Sequence, residues 1–169
     1  MQAKRTFYGG TWYRSMAEAR TAESFDRLGI PFEFESIAVR GPGFECGRYT
    51  PDFHVMLPDA IVEVAGVWDG RHARQARALC EALGIEGPEA MAGTLFLSVD
   101  GRGFLHTVRP DGTRTPDARV NECAACGGRS LMTETGSFRC PVCGAHDGDR
   151  LVRLSPNLFD AAGVERYGR

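Results

Sequence analysis

No stretch of this sequence approaches the roughly 18 consecutive apolar residues that a membrane-spanning helix needs, and no apolar segment follows Met1-Gln2-Ala3-Lys4-Arg5. The expectation is a cytoplasmic protein with no membrane partner. No charge of one sign dominates, since 20 Lys and Arg stand against 22 Asp and Glu for a formal net charge of -2. A surface for nucleic acid must then come from local clustering of basic residues. There is no internal repeat and no low-complexity tract. Cysteines are few, and of the six, four fall into two Cys-x2-Cys pairs while Cys46 and Cys80 stand alone. Without a secretion signal this pattern favours metal over disulfides. What is present is enough apolar sequence, 43% over 169 residues, for one moderate domain with a core and a small attachment.

Along the chain, Thr6 to Tyr13 carries aromatics around Gly9-Gly10 and reads as a hairpin. Ser15 is placed to cap a helix running to Leu28, with Glu18 three residues on to complete a capping box. On a 3.6-residue period Ala22, Phe25 and Gly29 share one arc, and Glu18 falls on it. A carboxylate on the core side needs a reason, and a capping box and a metal site are the two candidates. Phe32-Glu33-Phe34-Glu35 alternates like a strand, Arg40-Gly41-Pro42-Gly43 is a loop, and Phe44 to Phe53 reads as a hairpin arm. Ala60 to Val64 is the short apolar run of a central strand. From Asp69 to Leu83 a second helix sets Ala73, Ala76, Cys80 and Leu83 on one face, with Arg71, Arg74 and Arg77 displaced from it. Gly93 to Val99 and Phe104 to Val108 read as further strands. Arg109 to Arg119 has Pro110, Gly112 and Pro116 and no apolar period, so it reads as a linker. Two domains follow, residues 1-116 and residues 117-169, the second ending in a short helix through Leu158, Phe159 and Val164.

The second domain carries the sharper signal. Cys123-Ala124-Ala125-Cys126-Gly127 and Cys140-Pro141-Val142-Cys143-Gly144 are separated by thirteen residues. Each pair makes a knuckle whose following glycine permits the tight turn, and four thiolates close a tetrahedron on one Zn2+. The pattern resembles a zinc ribbon, with strands near Ser130 to Thr133 and Phe138 to Cys140. Four protein ligands leave no open position, so the zinc is structural. Arg129, Arg139, Arg150 and Arg153 are either phosphate contacts or ordinary solvated surface.

In the first domain, Tyr49-Thr50-Pro51-Asp52 is followed by Ile61-Val62-Glu63-Val64-Ala65-Gly66. Strand alternation lets Asp52 and Glu63 face one side of a sheet edge, as two hard oxygen ligands suited to Mg2+. Here the chain resembles the PD-(D/E)xK (restriction-endonuclease-like) nuclease superfamily, and among its members the small endonuclease-like proteins of bacteria and phages. The resemblance rests on Tyr13-Arg14-Ser15, Glu18, Pro51-Asp52-Phe53 and Val62-Glu63-Val64-Ala65-Gly66, and it spans most of residues 5 to 85. It implies an α/β fold, a mixed central sheet of four or five strands flanked by helices near 15-28 and 70-83, followed by the zinc ribbon. It also implies metal-dependent cleavage of DNA, with RNA not excluded, in defence or mobile-element biology. Under it Asp52, Glu63 and the Val64 carbonyl hold Mg2+ or Mn2+, and Glu18 holds a second ion or a bound water. Arg14, Arg40, Arg48, Arg71 and Arg74 are the basic candidates for the DNA surface.

One position departs from the pattern: the motif lysine is Ala65, which can neither orient the attacking water nor neutralise phosphate charge. Three explanations stand open. The chain is a natural degenerate member that binds without cutting, or a basic residue such as Arg71 or Arg74 has taken the lysine's place, or Ala65 is an introduced silencing change. The third is preferred, because Val-Glu-Val-x-Gly is otherwise intact and a drifting site would also lose Asp52 or Glu63. The expected protein is an endonuclease in silenced form, with a non-cleaving nucleic-acid adaptor as the alternative. Its assembly is open between a monomer, a homodimer able to make double-strand cuts, and a larger defence complex. His54, His72 and His106 have no partner at ligand spacing and are assigned no chemistry.

Overall fold

A computed structural model describes residues 4–88, 93–134, 139–146 and 151–164. In chain order the elements are β1 Thr6–Tyr8, β2 Thr11–Tyr13, α1 Met16–Leu28, β3 Phe32–Phe34, β4 Val39–Arg40, β5 Arg48–Tyr49, β6 Phe53–Met56, β7 Asp59–Val64, α2 Gly70–Leu83, β8 Leu95–Val99, β9 Leu105–Val108, β10 Arg114–Thr115, β11 Ala118–Cys123, β12 Arg129–Thr133, β13 Leu151–Ser155 and α3 Leu158–Ala162. A six-stranded sheet ordered β10-β9-β8-β7-β6-β3 forms the centre, one strand more than the upper expectation. Its neighbours are antiparallel except β7 and β8, which run parallel with α2 as the crossover between them.

The two faces of the sheet bury different partners. Phe53, Val55, Ala60, Val62, Leu97, Val99 and Leu105 point to one side and pack with Ala22, Phe25 and Leu28 of α1. Ile61, Phe96 and Val108 point to the other and meet Ala76, Leu79 and Cys80 of α2, together with Val39 and Phe44. The α2 stripe thus runs through Leu79, whereas Leu83, expected on it, is 38% exposed at the helix end. The second helix is capped by Asp69, whose side chain accepts from the Arg71 and His72 amides.

The stretch read as a linker is structured. β10 pairs with β9 inside it, and β11 begins at Ala118. The short apolar spacing hid this, because two-residue β10 has no room for a period. β11 then pairs with β12 and β13 in a three-stranded antiparallel sheet. Ala118, Val120, Leu131, Leu158 and Phe159 join the same apolar cluster as Phe25 and Phe53, so that cluster crosses residue 117. The strand expected near Phe138 lies largely outside the described residues; among the described ones Arg139 bridges to His146.

Candidate functional site

α1 begins where the chain leaves β2, and its first turn sets up a carboxylate. Ser15 is the N-cap, its hydroxyl accepting from the Glu18 amide at 3.1 Å. Glu18 accepts in return from the Arg14 amide at 2.9 Å and from the Ser15 hydroxyl at 3.1 Å. This shifts the reciprocal bond of a capping box by one residue. The Glu18 carboxylate is therefore turned toward the end of the sheet. There Asp52, just before β6, accepts from the Val64 amide at 2.8 Å. Glu63, near the end of β7, accepts a short hydrogen bond from the Tyr49 hydroxyl of β5. Glu18, Asp52 and Glu63 are 6%, 5% and 8% exposed.

Arg14 lies among these acids. Its guanidinium is 2.5 Å from Asp52, 2.9 Å from Glu35 and 3.8 Å from Glu18. Glu35 follows β3 with φ 49°, a left-handed conformation unusual for glutamate, while its amide bonds the Asp52 carbonyl at 2.9 Å. One cation pairs with three carboxylates, Asp52, Glu35 and Glu18, and its charge is also felt by Glu63. Burial and the Asp52 charge push the Glu63 carboxyl well above the ordinary range, and the same two causes raise Glu18. Burial and Glu63 raise the Tyr49 phenol, so it stays a proton donor. Burial works against the Arg14 charge, yet Asp52, Glu35 and Glu18 more than restore it. Oxygen ligands with excess negative charge suit a hard divalent cation. The site lies at the carboxyl end of the parallel β7 and β8, where open α/β sheets hold their ligands.

Register extends the site across the sheet. Ser98 stands beside Glu63 on β8, and His106 beside Ser98 on β9, so the three share one face. Ser98 Oγ and His106 Nε2 are buried with no hydrogen-bond partner among the described residues. Burial and the Arg114 charge lower the His106 pKa, and Asp100 Oδ2, at 3.7 Å, opposes this weakly. Ala65 is buried, and its carbonyl accepts from Arg114 Nη1 at 3.3 Å.

The four cysteines of the paired motifs also come together. Their sulfurs lie within 4.8 Å of one another, and the group could hold a metal ion such as zinc. Cys123 and Cys140 are buried beside Met132, while Cys126 and Cys143 are exposed. Gly127 and Gly144 take φ 68° and 74° after their knuckles, and the Gly128 amide donates to Cys126 Sγ at 3.3 Å. Burial raises the Cys140 thiol, but the Cys143 and Val142 amides outweigh it and bring the pKa to about 7. Thiolate is the ligating form. His146 is exposed and outside the cluster.

No family model matches this sequence, and comparison with curated proteins and with solved structures finds none similar to it.

The expected basic residues divide. Arg14 enters the acid cluster, Arg40 and Arg48 face each other across β4 and β5, and Arg71 and Arg74 are exposed on α2. Arg40 and Arg48 are like charges in direct register, an arrangement that an anion relieves. Arg71 lies 4.0 Å from Glu45 and reaches no acid of the site. In the C-terminal region Arg129 is paired with Glu122 at 3.0 Å, Arg139 and Arg153 are exposed, and Arg150 lies outside the described residues. Tyr49, Glu35, Ser98, His106 and Arg114 carried no signal at the sequence level. Tyr49 alone was within reach, since it stands three residues before Asp52 in the same Tyr-Thr-Pro-Asp stretch.

Proposed function

We propose that this protein is a metal-dependent endonuclease acting on DNA phosphodiesters, with activity reduced by alanine at the lysine position. Glu18, Asp52 and Glu63 hold Mg2+ or Mn2+, which supplies a Lewis acid and an activated water at neutral pH. The four cysteines hold zinc in a purely structural role. The observation that carries the reading is that three carboxylates are buried at one end of the sheet, Glu18 of α1 and Glu63 of β7 each sensing the charge of Asp52 before β6.

Ala65 and the Arg14 ion pairs, which satisfy some of the acids without a metal, favour a second reading, a non-cleaving nucleic-acid adaptor. Cleavage of supercoiled plasmid and single-stranded DNA with Mn2+ separates the two, with this chain run beside Ala65→Lys and Asp52→Ala. The endonuclease reading expects Ala65→Lys to cut faster by about 10² or more and Asp52→Ala not to cut. Binding without cleavage by every form supports the adaptor.

A further inference from the structure

Lys4 is the only lysine in the chain. A permanently charged side chain that meets a phosphate beside Ala65 is then an arginine, and Arg71 and Arg74 of α2 are exposed, with Arg71 turned to Glu45 at 4.0 Å. Arg114 is turned to Ala65. It sits on the edge strand β10 opposite Val108, on the face that carries Glu63, Ser98 and His106. From there its side chain extends back across the sheet to the Ala65 carbonyl at 3.3 Å.

The placement is fastened on several sides. The guanidinium carbon lies 5.4 Å from the centre of the Trp68 ring. Trp68 in turn donates from Nε1 to the Gly112 carbonyl at 3.0 Å, tying the loop after β7 to the turn that precedes Arg114. Gly112 has φ 80°, and a Cβ there would lie 2.3 Å from the Ala73 carbonyl, so only glycine lets this turn press against α2. The His72 ring stacks on Trp68 at 5.5 Å. Arg114 is nevertheless poorly satisfied. Among the described residues its side chain's one hydrogen bond goes to a neutral carbonyl, and the Asp100 carboxylate acts on its charge without coming to ion-pair distance. A half-buried guanidinium with unused donors, aimed at the end of β7, is suited to a phosphate.

We propose that Arg114 supplies from the far edge of the sheet the positive charge that Ala65 cannot, by binding a non-bridging oxygen of the scissile phosphate. This rests on the endonuclease reading and names a catalytic residue for it. In the hydrolysis a water oxygen bonds to phosphorus as the bond to the leaving ester oxygen breaks. The water releases a proton to solvent, and the leaving oxygen takes one from solvent. Arg114 transfers no proton; it stays charged and offsets the charge that grows on the phosphate oxygens.

The test uses the full zinc-loaded chain, single-turnover cleavage with Mn2+, and four forms: the starting protein, Arg114→Ala, Ala65→Lys and the double variant. The expected result is slow cleavage by the starting protein, a loss of about 10²-fold in Arg114→Ala, and a double variant nearly as fast as Ala65→Lys. A lysine that makes Arg114 dispensable is an effect that a merely structural Arg114 would not give. Equal cleavage by the starting protein and Arg114→Ala overturns the inference and leaves the endonuclease reading standing. So does cleavage by Ala65→Lys alone, or a double variant that loses as much as the single one. Failure of every form to cut overturns both.

Discussion

A carboxylate buried beside a second carboxylate is costly to keep ionised, and Glu63 is in that position. Its folded pKa is raised by burial and by Asp52, as is that of Glu18. The sign of the linkage follows. The stabilising contribution of a group raised in this way is fully present below its unfolded pKa, in the ordinary glutamate range, and is lost as pH rises through the folded pKa. Without a divalent metal the protein is therefore expected to lose stability from mildly acid toward neutral pH. Glu63→Gln keeps an acceptor for Tyr49 and removes the charge. Thermal melts of the two forms should show Glu63→Gln higher by a few degrees at pH 7.5 and level with the starting protein near pH 4. A glutamine form that melts lower at pH 7.5 would contradict the account. Glu18, Asp52 and Glu63 were legible at this scale, because helix and strand periods assign each a face. Arg114 was not. It is 49 residues from Ala65, in a stretch whose prolines and glycines read as linker, and only the folding of β9 onto β8 brings it across the sheet.

At the level of elements, the start of α1 matters most. Ser15 both caps the helix and holds the Glu18 carboxylate, so one hydroxyl links helix stability to the site. Ser15→Ala is expected to cost about 1 kcal/mol of stability and also to weaken Mn2+ binding by releasing Glu18. Ser15→Asp keeps the cap, adds a carboxylate near Glu18, and should restore the melting temperature. Denaturant unfolding with parallel metal titration checks both. A Ser15→Ala form with unchanged metal affinity would separate the cap from the site. The elements themselves were largely readable: α1 and α2 within a residue of their expected bounds, and β7 from its apolar run. The departures came where elements are two residues long, as β4, β5 and β10 are, and at β11 and β13, strands of six and five residues that have no clear period of their own. Such strands exist through their partners, and a single sequence does not display the partners.

For the whole molecule, the cysteine cluster and the central sheet are mechanically joined. β11 runs directly into Cys123, and its Ala118 and Val120 lie in the cluster that also holds Phe25 and Phe53. Metal bound by the four thiolates stabilises β11, β12 and the core they share. Removing zinc, or replacing Cys140 by serine, is expected to lower the single melting transition of the entire protein rather than to melt a separate ribbon. Calorimetry resolving two transitions, the larger one unaffected by zinc, would contradict this.

The central claim is that Glu18, Asp52 and Glu63 hold a divalent cation, and titration of Mn2+ into the zinc-loaded protein, followed by electron paramagnetic resonance, tests it most directly. Tight binding, with affinity lost in Asp52→Ala and in Glu63→Gln, is the predicted result. Mn2+ that does not bind, or that binds equally well to both variants, would contradict the account.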